Sequence, residues 1–415
     1  MPTTNAAVEL LAEPLTLRCG AVLPHRLAKS ALSEQLGDRR NRPGRELVEL
    51  YRTWSRGGAG VLVTGNVMVD PRALGEPRNV AVSEEPDAGA FREWAAASTG
   101  TGSQLWVQLN HPGRQSPRFL SRQPVAPSAV PFGDRGVRSV FATPRALTGN
   151  EIDVIIDRFA VSARTVIDAG FRGIQLHGAH GYLISQFLSP LTNRRTDAWG
   201  GDAVRRRRFL LELVRRVRAE VGDSVPLSVK LNSADFQRGG FTEEESLEVV
   251  RELGEAGIDL LEISGGTYER AAMMGLTSGS RASTRSREAY FLDYATKARQ
   301  VSDVALMVTG GFRTVAGMAA ALRSGALDVI GLGRPVTVTP DLPARLLAGE
   351  DVEAERLCPK TGIRLADSWL EIQWHTQQMH RVASGKPVDR RRGAVRSLVV
   401  AGVNDPLNAF RRVRG

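Results

Sequence analysis

The sequence predicts an α/β protein built as a single (β/α)8 TIM barrel, in which parallel strands alternate with helices. Short apolar runs typical of buried strands alternate with amphipathic stretches about eight times between His25 and Leu347. The first unit lacks the glycine-rich fingerprint that a doubly wound dinucleotide-binding sheet would need. The length of 415 residues suits one large barrel or two ordinary domains. We therefore expect a barrel with an N-terminal hairpin cap and a C-terminal helical extension.

The composition is typical of a globular enzyme with many tight turns, since 42% of the residues are hydrophobic and 42 are glycine. No apolar run reaches the roughly 18 residues of a membrane helix, so we expect no membrane partner. Residues 1–13 do not resemble a secretory signal. Cys19 and Cys358 are the only cysteines, which excludes a disulfide framework and an iron–sulfur cluster. These features favour a cytoplasmic location.

The N-terminal elements begin with Leu15 to Leu23, which alternates in polarity and turns at Gly20. This pattern predicts a hairpin that could plug the bottom of the barrel. A strand is expected over His25 to Leu32. Arg45 to Arg56 has helical periodicity and ends at the glycine pair 57–58, which indicates a C-cap. The next predicted elements are strand 61–66, helix 87–97 and strand 104–109.

Residues 114–148 interrupt the alternation, because they are rich in Pro, Ser, Arg and Gly. A connection of this length between core elements is usually functional or mobile. The alternation then resumes, and Thr242 with Glu245 forms the pattern of a helix-capping box. In order, the resumed elements are helix 151–169, strand 173–176, helix 202–221, strand 227–231, helix 242–256, strand 260–263, helix 287–301, strand 306–309, helix 314–323 and strand 329–332.

The chain has a basic C-terminal tail and two dense runs of arginine. Residues 1–350 are predicted to form the barrel domain, and residues 351–415 a basic helical extension that packs on the barrel or on a neighbouring subunit. The net charge is +10, and the densest basic runs are Arg205–Arg208 and Arg390–Arg392. Because the first run opens an amphipathic helix, a solvated helix face is favoured over nucleic-acid binding.

The chemical centre is predicted at His177, His180 and Tyr182, where a short apolar strand opens into a loop. A zinc site would need a third and a fourth ligand, and no nearby Cys or His supplies them, so we expect no metal. Gly178 and Gly181 also argue against a helix that would hold both rings on one face. Two structural histidines remain an alternative. The favoured interpretation is a pair of neutral imidazoles that donate hydrogen bonds to a substrate oxygen.

Polar or small residues stand at the ends of other predicted strands, where barrel active sites lie. Lys230 is informative because its neighbours are apolar or small, and a buried ammonium must face an anion or another acceptor. Its pairing with Glu262 is the alternative. The remaining candidates at strand ends are Ser30, Ser33, Gly65 and Gln108.

The last two predicted strands run into Gly310-Gly311 and Gly333-Arg334. Glycine lets bare backbone N–H groups approach an anion, and arginine adds a bidentate cation. The loops after strands seven and eight are the usual phosphate site of a barrel. The alternative is that the two glycine turns only form tight connections between strand and helix and bind no ligand.

These motifs resemble the old yellow enzyme family of FMN-dependent ene-reductases and NADH:flavin oxidoreductases. The resemblance covers roughly residues 14–350. Its most specific part runs from His177 to Gly201 and contains His-Gly-Ala-His-Gly-Tyr-Leu, Phe-Leu-Ser-Pro-Leu-Thr-Asn-Arg-Arg-Thr-Asp and Trp-Gly-Gly. Val107–Arg114 and Ile330–Pro335 match family motifs as well.

The resemblance implies an FMN at the mouth of the barrel. Gln108 would bind the pyrimidine edge of the flavin, and Lys230 would lie near N1 and O2 and stabilise the reduced, anionic flavin. Many relatives have Arg at the position of Lys230. Relatives with an iron–sulfur module carry a C-terminal cysteine cluster, which this chain lacks. The full set of implied cofactor residues is Ser30, Ala31, Ser33, Gly65, Gln108, Lys230, Gly311, Gly333 and Arg334.

The implied activity is hydride transfer from NADH or NADPH, through flavin N5, to the activated C=C of an α,β-unsaturated carbonyl. His177 and His180 would bind the carbonyl oxygen, and Tyr182 would donate the proton. We expect a small enone-type substrate, a homo-oligomer and no nucleic-acid partner. The alternatives are an oxidative demethylase or amine dehydrogenase on the same scaffold, an RNA-binding flavin barrel and a non-catalytic binding protein. The RNA-modifying kind needs a catalytic loop cysteine, which neither Cys19 nor Cys358 matches.

Overall fold

A computed structural model describes residues 4–133, 135–264, 282–355, 357–362, 364–400 and 402. Eight parallel strands follow one another around a closed barrel, and the last strand pairs with the first. The predicted (β/α)8 barrel is therefore confirmed. The barrel strands are β1 (Leu27–Lys29), β2 (Val61–Met68), β3 (Gln104–Asn110), β4 (Gly173–Gly178), β5 (Leu227–Asn232), β6 (Leu260–Ser264), β7 (Ala305–Thr309) and β8 (Val329–Leu332).

Helices cover the outside of the barrel. The predicted capping box of Thr242 and Glu245 is present, and Thr148 with Glu151 forms a second one. None of the described helices is long and apolar enough to cross a membrane. The main helices are α1 (Arg45–Arg56), α2 (Ala88–Ala95), α3 (Gly149–Asp168), α4 (Ala203–Val221), α5 (Glu243–Glu255), α6 (Ala282–Val301), α7 (Val315–Arg323), α8 (Leu342–Leu347) and α9 (Arg364–Ala383).

Several short elements lie outside this alternation, and the N-terminal helix among them was not predicted. The first strand is shorter than the predicted His25 to Leu32, and at its start His25 Nδ1 accepts the Leu27 N–H at 3.1 Å. Gly265 and Gly266, which follow β6 in the sequence, lie outside the described residues. The short elements are Thr4–Ala12, Leu15–Thr16, Val22–Leu23, Val80–Ala81, Ala96–Ser98, Val125–Ala126, Arg135–Val140, Arg145–Ala146, Leu183–Leu188 and Pro335–Val338.

The predicted N-terminal hairpin closes the bottom of the barrel. Its two strands pair antiparallel, Leu15 opposite Leu23. Leu17 and Leu23 are buried in one cluster with inward-facing residues near the start of the strands, such as Trp106 and Leu260. Burying a leucine side chain stabilises a fold by about 1.5–3 kcal/mol. The hairpin thus seals the end of the barrel opposite the expected site.

The arginine run at the start of α4 is not a fully solvated face, which corrects the interpretation above. Arg206 is buried and forms an ion pair with Glu245 on α5. Arg207 lies 2.6 Å from Glu252, also on α5. The side chains of Arg206 and Arg207 are only 8% and 11% exposed, so part of this positive charge serves helix packing.

A β-bulge distorts β2 beside the expected site. The pairing of β2 with β3 shifts register between Val63 and Asn66. Lys29 Nζ donates to Val63 O at 2.8 Å, and the Glu34 carboxylate accepts the Gly65 N–H at 3.0 Å. Burial lowers the pKa of Lys29 to about 8, against the attraction of Glu34. The buried Lys29–Glu34 pair therefore satisfies the backbone groups at the bulge.

The segment 114–148 folds back over the barrel mouth. Val125–Ala126 pairs in parallel with Arg145–Ala146. Arg195 Nη1 donates to Pro127 O at 2.9 Å, and Arg114 Nη1 donates to Val130 O at 3.2 Å. Two buried or mostly buried arginines thus hold the long connection from either side.

The C-terminal helix α9 packs against α1 of the barrel. His380 Nε2 donates to Glu34 O at 2.8 Å, and His375 Nδ1 lies 2.6 Å from Thr337 Oγ1. These contacts connect α9 to the loops after β1 and β8. The division of the chain at residue 350 stays a prediction.

Candidate active site

His177, His180 and Tyr182 lie together at the carboxyl end of β4. The ring centroid of His177 is 5.1 Å from that of His180 and 4.9 Å from that of Tyr182, with both neighbours edge-on. This end of the barrel is where (β/α)8 enzymes have their active sites. The structure therefore brings together the three residues predicted to act on the substrate.

His180 adopts a strained backbone conformation that its surroundings hold in place. Its φ is +60°, in the left-handed region that residues with a Cβ rarely adopt. Its N–H donates to Asn232 Oδ1 at 3.2 Å, and its carbonyl accepts from Gln115 Nε2 at 2.8 Å. Its ring Nε2 lies 2.6 Å from Ser264 Oγ. Strain held by several partners in this way is concentrated at functional sites.

Both imidazoles are neutral near pH 7. Burial holds the pKa of His177 well below its usual value, and His180 and Lys230 lower it further. Burial and then Lys230 lower the pKa of His180 in the same way. His177 Nδ1 accepts the Ala179 N–H at 3.3 Å, so the neutral ring carries its proton on Nε2. A neutral N–H donor is suited to binding an oxygen that gains negative charge.

Tyr182 is buried, and its hydroxyl faces the bulged strand. Asn66 Nδ2 donates to Tyr182 Oη at 3.4 Å, which is long for a hydrogen bond. Asn66 is the residue at which β2 resumes its pairing with β3. The bulge thus brings an amide from β2 to the predicted proton donor.

Lys230 forms an ion pair inside the barrel with Glu262, the alternative partner considered above. Lys230 Nζ lies 3.0 Å from Glu262 Oε1, and the two side chains are 5% and 0% exposed. In the part of the chain that the structure describes, this is the only polar partner of the ammonium. An ammonium has three donors, so the pairing is compatible with a second, anionic partner.

A chain of hydrogen bonds connects Glu262 to two other predicted cofactor residues. Gln175 Nε2 donates to Glu262 Oε2 at 2.9 Å, and Gln108 Nε2 donates to Gln175 Oε1 at 2.7 Å. On the other side Thr309 Oγ1 donates to Glu262 Oε1 at 2.7 Å and lies 2.7 Å from Ser30 Oγ. Lys230 thus contacts the Glu262 carboxylate directly, and the predicted residues Gln108 and Ser30 are connected to it through one intervening side chain each.

The other residues predicted near the flavin ring adjoin the loop after β1. A Cβ at Gly65 would lie 2.0 Å from Glu34 Oε2, so only glycine fits there. Ser33 Oγ donates to the Glu76 carboxylate. Ala31 is half-buried against the apolar cluster of the barrel interior. Gly65 also adjoins the Gln108 end of the Glu262 network, because Thr64 Oγ1 accepts the Gln108 N–H and donates to Gly65 O, both at 2.9 Å.

The residues predicted to hold a phosphate lie after β7 and β8, which are neighbours in the barrel. Gly310 and Gly311 have φ values of +104° and +90°. A Cβ at Gly310 would meet no atom within 4 Å, so the bare backbone of this turn adjoins open space. Gly333 precedes Arg334, whose guanidinium forms an ion pair with Glu371 of α9. The phosphate role of these residues stays a prediction.

Comparison with known proteins identifies the family of this fold and site. The sequence model of the NADH:flavin oxidoreductase / NADH oxidase family matches residues 10–353. The chain belongs to this family, which confirms the resemblance found in the sequence. The predicted cofactors, FMN with NADH or NADPH as co-substrate, are those of this family.

Two fungal relatives carry the name NADH-dependent flavin oxidoreductase iliE. The protein of Hypocrea jecorina is 38% identical over 88% of this chain and 94% of its own length. That of Neonectria sp. is 38% identical over 80% of this chain, which spans only 46% of its length. An old yellow enzyme homologue from Zymomonas mobilis is a structural neighbour, with TM-score 0.70, 26% identity, and coverage of 82% of this chain and 93% of that one.

The residues at the barrel mouth fit a flavin. Asn110, at the end of β3, is buried, and neither its amide oxygen nor its nitrogen has a hydrogen-bond partner among the described residues. The same holds for Asn66 Oδ1 and for Asn232 Nδ2, each at the mouth end of its strand. Buried polar atoms normally have partners, so these three asparagines indicate a polar ligand. An isoalloxazine ring offers both donors and acceptors at its edge.

Sequence reasoning missed much of the surrounding polar shell. Gln175 and Lys29 are polar residues in otherwise apolar strands, and this pattern could have indicated from the sequence that they take part in a buried polar network. Glu262 was considered only as a partner for Lys230. Asn232 and Ser264 are the last residues of β5 and β6 and hold His180, and their position directly after the predicted strands was available from the sequence.

The stability of the fold should decrease as the pH is lowered, because the buried histidines stay neutral in the folded protein. Burial lowers the pKa of His111 to about 4, and His177 and His180 are shifted in the same direction. Unfolded histidine titrates near pH 6.5, so between about pH 6.5 and 4 only the unfolded state gains these protons. The free energy of unfolding should therefore fall by up to about 1.4 kcal/mol per pH unit for each histidine. Denaturant unfolding at several pH values measures this slope, and His111→Gln should make it shallower.

Proposed function

We propose that this protein is an FMN-dependent ene-reductase that reduces the activated C=C of small α,β-unsaturated carbonyl compounds with NADH or NADPH. The observation that supports it most is the pair of neutral, buried imidazoles beside the Tyr182 phenol. Their ring centroids are 5.1 Å apart, so one carbonyl oxygen could accept from His177 Nε2 and from His180 Nδ1, with Ser264 Oγ donating to His180 Nε2. A phenol next to them suits the proton that completes the reduction.

His177 and His180 would bind the carbonyl oxygen of the substrate and stabilise the negative charge that it gains. Their donors are held in advance by backbone and side-chain contacts, so little reorganisation is needed when that charge develops. Because both rings are neutral, they polarise the oxygen without themselves giving up a proton. The strained, anchored backbone of His180 fixes the second donor.

Tyr182 would donate the proton to the α-carbon. Its burial excludes bulk water from the proton donor, and Asn66 on β2 contacts the hydroxyl. Proton transfer by a positioned side chain typically accelerates a step by about 10²–10⁴-fold.

FMN, when bound, supplies the hydride chemistry between the nicotinamide and the substrate. Gln108 and Lys230 would hold its pyrimidine side, and Ser30, Ala31, Ser33 and Gly65 would adjoin its ring. Gly311, Gly333 and Arg334 would hold the phosphate.

The test is an anaerobic titration of the flavin-loaded protein. NADH or NADPH should bleach the flavin absorption, and 2-cyclohexenone should restore it with formation of cyclohexanone. Bleaching by a methylated amine in the absence of nicotinamide, with no response to the enone, would support the oxidative demethylase instead. A gel shift with total RNA at moderate salt would revive the nucleic-acid alternative, and size-exclusion chromatography tests the predicted homo-oligomer.

Arg334→Ala should weaken the binding of FMN much more than that of riboflavin. A charge-assisted contact to the phosphate contributes about 1.5–3 kcal/mol, or ten- to a hundredfold in affinity. The variant also leaves Glu371 without this ion pair, but that cost is the same for both ligands. Arg390→Ala, which removes another arginine paired near α9, should leave both affinities unchanged. Equal weakening of FMN and riboflavin would show a structural role for Arg334.

A further inference from the structure

Glu262 is a buried carboxylate to which the proposed reaction gives no role. It lies on β6 and is fully buried. It accepts hydrogen bonds from two side chains and forms an ion pair with a third, and the three side chains stand on three other strands. These are Gln175 on β4, Lys230 on β5 and Thr309 on β7, at 2.9, 3.0 and 2.7 Å. A buried carboxylate is costly unless it is paired and hydrogen-bonded. These three partners offset the cost of burying Glu262, and they connect it to two of the predicted cofactor residues.

Glu262 fixes the direction of the hydrogen bonds that end at Gln108. An ionised carboxylate only accepts, so the Gln175 amide must turn its NH₂ group toward Glu262. The Gln175 oxygen then points away and accepts the NH₂ group of Gln108. This leaves the Gln108 amide oxygen as the acceptor for a ligand. The orientation of both amides thus follows from one acceptor-only group rather than from their own preference.

Glu262 also balances the charge of Lys230. The pair is neutral as a whole, so a ligand at the barrel mouth meets a cation whose field is reduced by a carboxylate 3.0 Å behind it. Replacing that carboxylate by an amide of the same shape would leave the full charge of the ammonium.

We propose that Glu262 is a positioning residue that sets the reduction potential of the bound flavin, by moderating Lys230 and by presenting the Gln108 oxygen to the cofactor. The inference rests on the proposed flavin contacts of Gln108 and Lys230.

Glu262→Gln should raise the midpoint potential of the bound flavin, because the reduced, anionic flavin would meet an uncompensated cation. We expect at least a tenfold shift of the equilibrium toward reduced flavin, which is about 30 mV for a two-electron couple. The measurement is a dye-coupled anaerobic titration between pH 6 and 7. Oxidised FMN should bind less tightly, since the Gln108 amide is no longer held in one orientation.

Lys230→Met should lower the potential, and in the Lys230→Met background Glu262→Gln should have a much smaller effect than in the wild type. This double-mutant cycle distinguishes action through Lys230 from a general electrostatic effect. If Glu262→Gln alone fails to fold, the double variant, which removes both charges together, still tests the role through Gln108: it should bind oxidised FMN less tightly than Lys230→Met does, and equal affinity would overturn that role.

Asp259→Asn is a matched control. Asp259 directly precedes β6, is buried and lies 2.7 Å from Arg218, but it stands at the bottom of the same barrel. Its variant should lose stability without a change in potential. An equal change in both variants, or an unchanged potential in a Glu262→Gln protein that still binds FMN, would overturn the proposal.

The role of Glu262 and the ene-reductase activity can fail independently, and the measurements separate the two cases. An unchanged potential together with normal enone reduction would remove only the role of Glu262. A shifted potential in a protein that never reduces enones would remove only the ene-reductase. An unchanged potential in Lys230→Met would show that the flavin contact of Lys230 is wrong.

Discussion

Replacing His177 or His180 by alanine should reduce the affinity for a para-substituted phenol about ten- to a hundredfold, while FMN stays bound. A phenolate stacked on the oxidised flavin mimics the enolate of the proposed reaction, and its oxygen would take the same two N–H donors. Hydrogen bonds to an anion contribute roughly 1.5–3 kcal/mol each. The affinity is measured by the long-wavelength charge-transfer band that such phenols give with old yellow enzymes.

His25→Ala is the matched control for this experiment. His25 is also a histidine with a pKa lowered chiefly by burial, but it lies at the bottom of the barrel, where its ring accepts the Leu27 N–H. Its variant should bind the phenol normally. Loss of flavin from the variants at 177 and 180, with no selective loss of phenol binding, would mean that these residues build the cofactor site or the fold.

The fold was predictable because its signals are local. The buried strands of a parallel barrel are short apolar runs in the sequence. The start of a helix can be recognised from a capping box such as Thr242 and Glu245. α1 begins and ends where the periodicity placed it, at Arg45 and Arg56. The helix Thr4–Ala12 was missed, because residues 1–13 were assessed only as a possible secretory signal and not for helical periodicity.

The polar interior was not predictable to the same degree, because its partners are distant in the chain. Nothing local indicates that Gln175 would meet Glu262, 87 residues further on, or that Glu34 would lie beneath Gly65. The β2 bulge is also invisible in the sequence, since it depends on the buried Lys29–Glu34 pair. Side chains at strand ends could be placed at the mouth, but their choice of hydrogen-bond partner required the closed barrel.

Tyr182→Phe should slow the reduction of enones by about 10²–10⁴-fold while reduction by NADH or NADPH stays near normal. The substitution removes only the hydroxyl, and the ring continues to pack edge-on against His177. Phenol binding should also stay near normal, because the two imidazole donors are unchanged. Stopped-flow absorption of the two half-reactions measures each step separately.

Tyr294→Phe gives the comparison that makes this result specific. Tyr294 is a buried tyrosine on α6 whose hydroxyl lies 2.6 Å from Ser246 Oγ, so its variant also removes a hydrogen-bonded phenol group from the interior. It should leave both half-reactions unchanged. If Tyr182→Phe slows reduction by nicotinamide as much as reduction of the enone, the phenol positions ligands in general and does not donate the proton. If neither step slows, water supplies the proton, and the histidine pair alone carries the activation of the carbonyl.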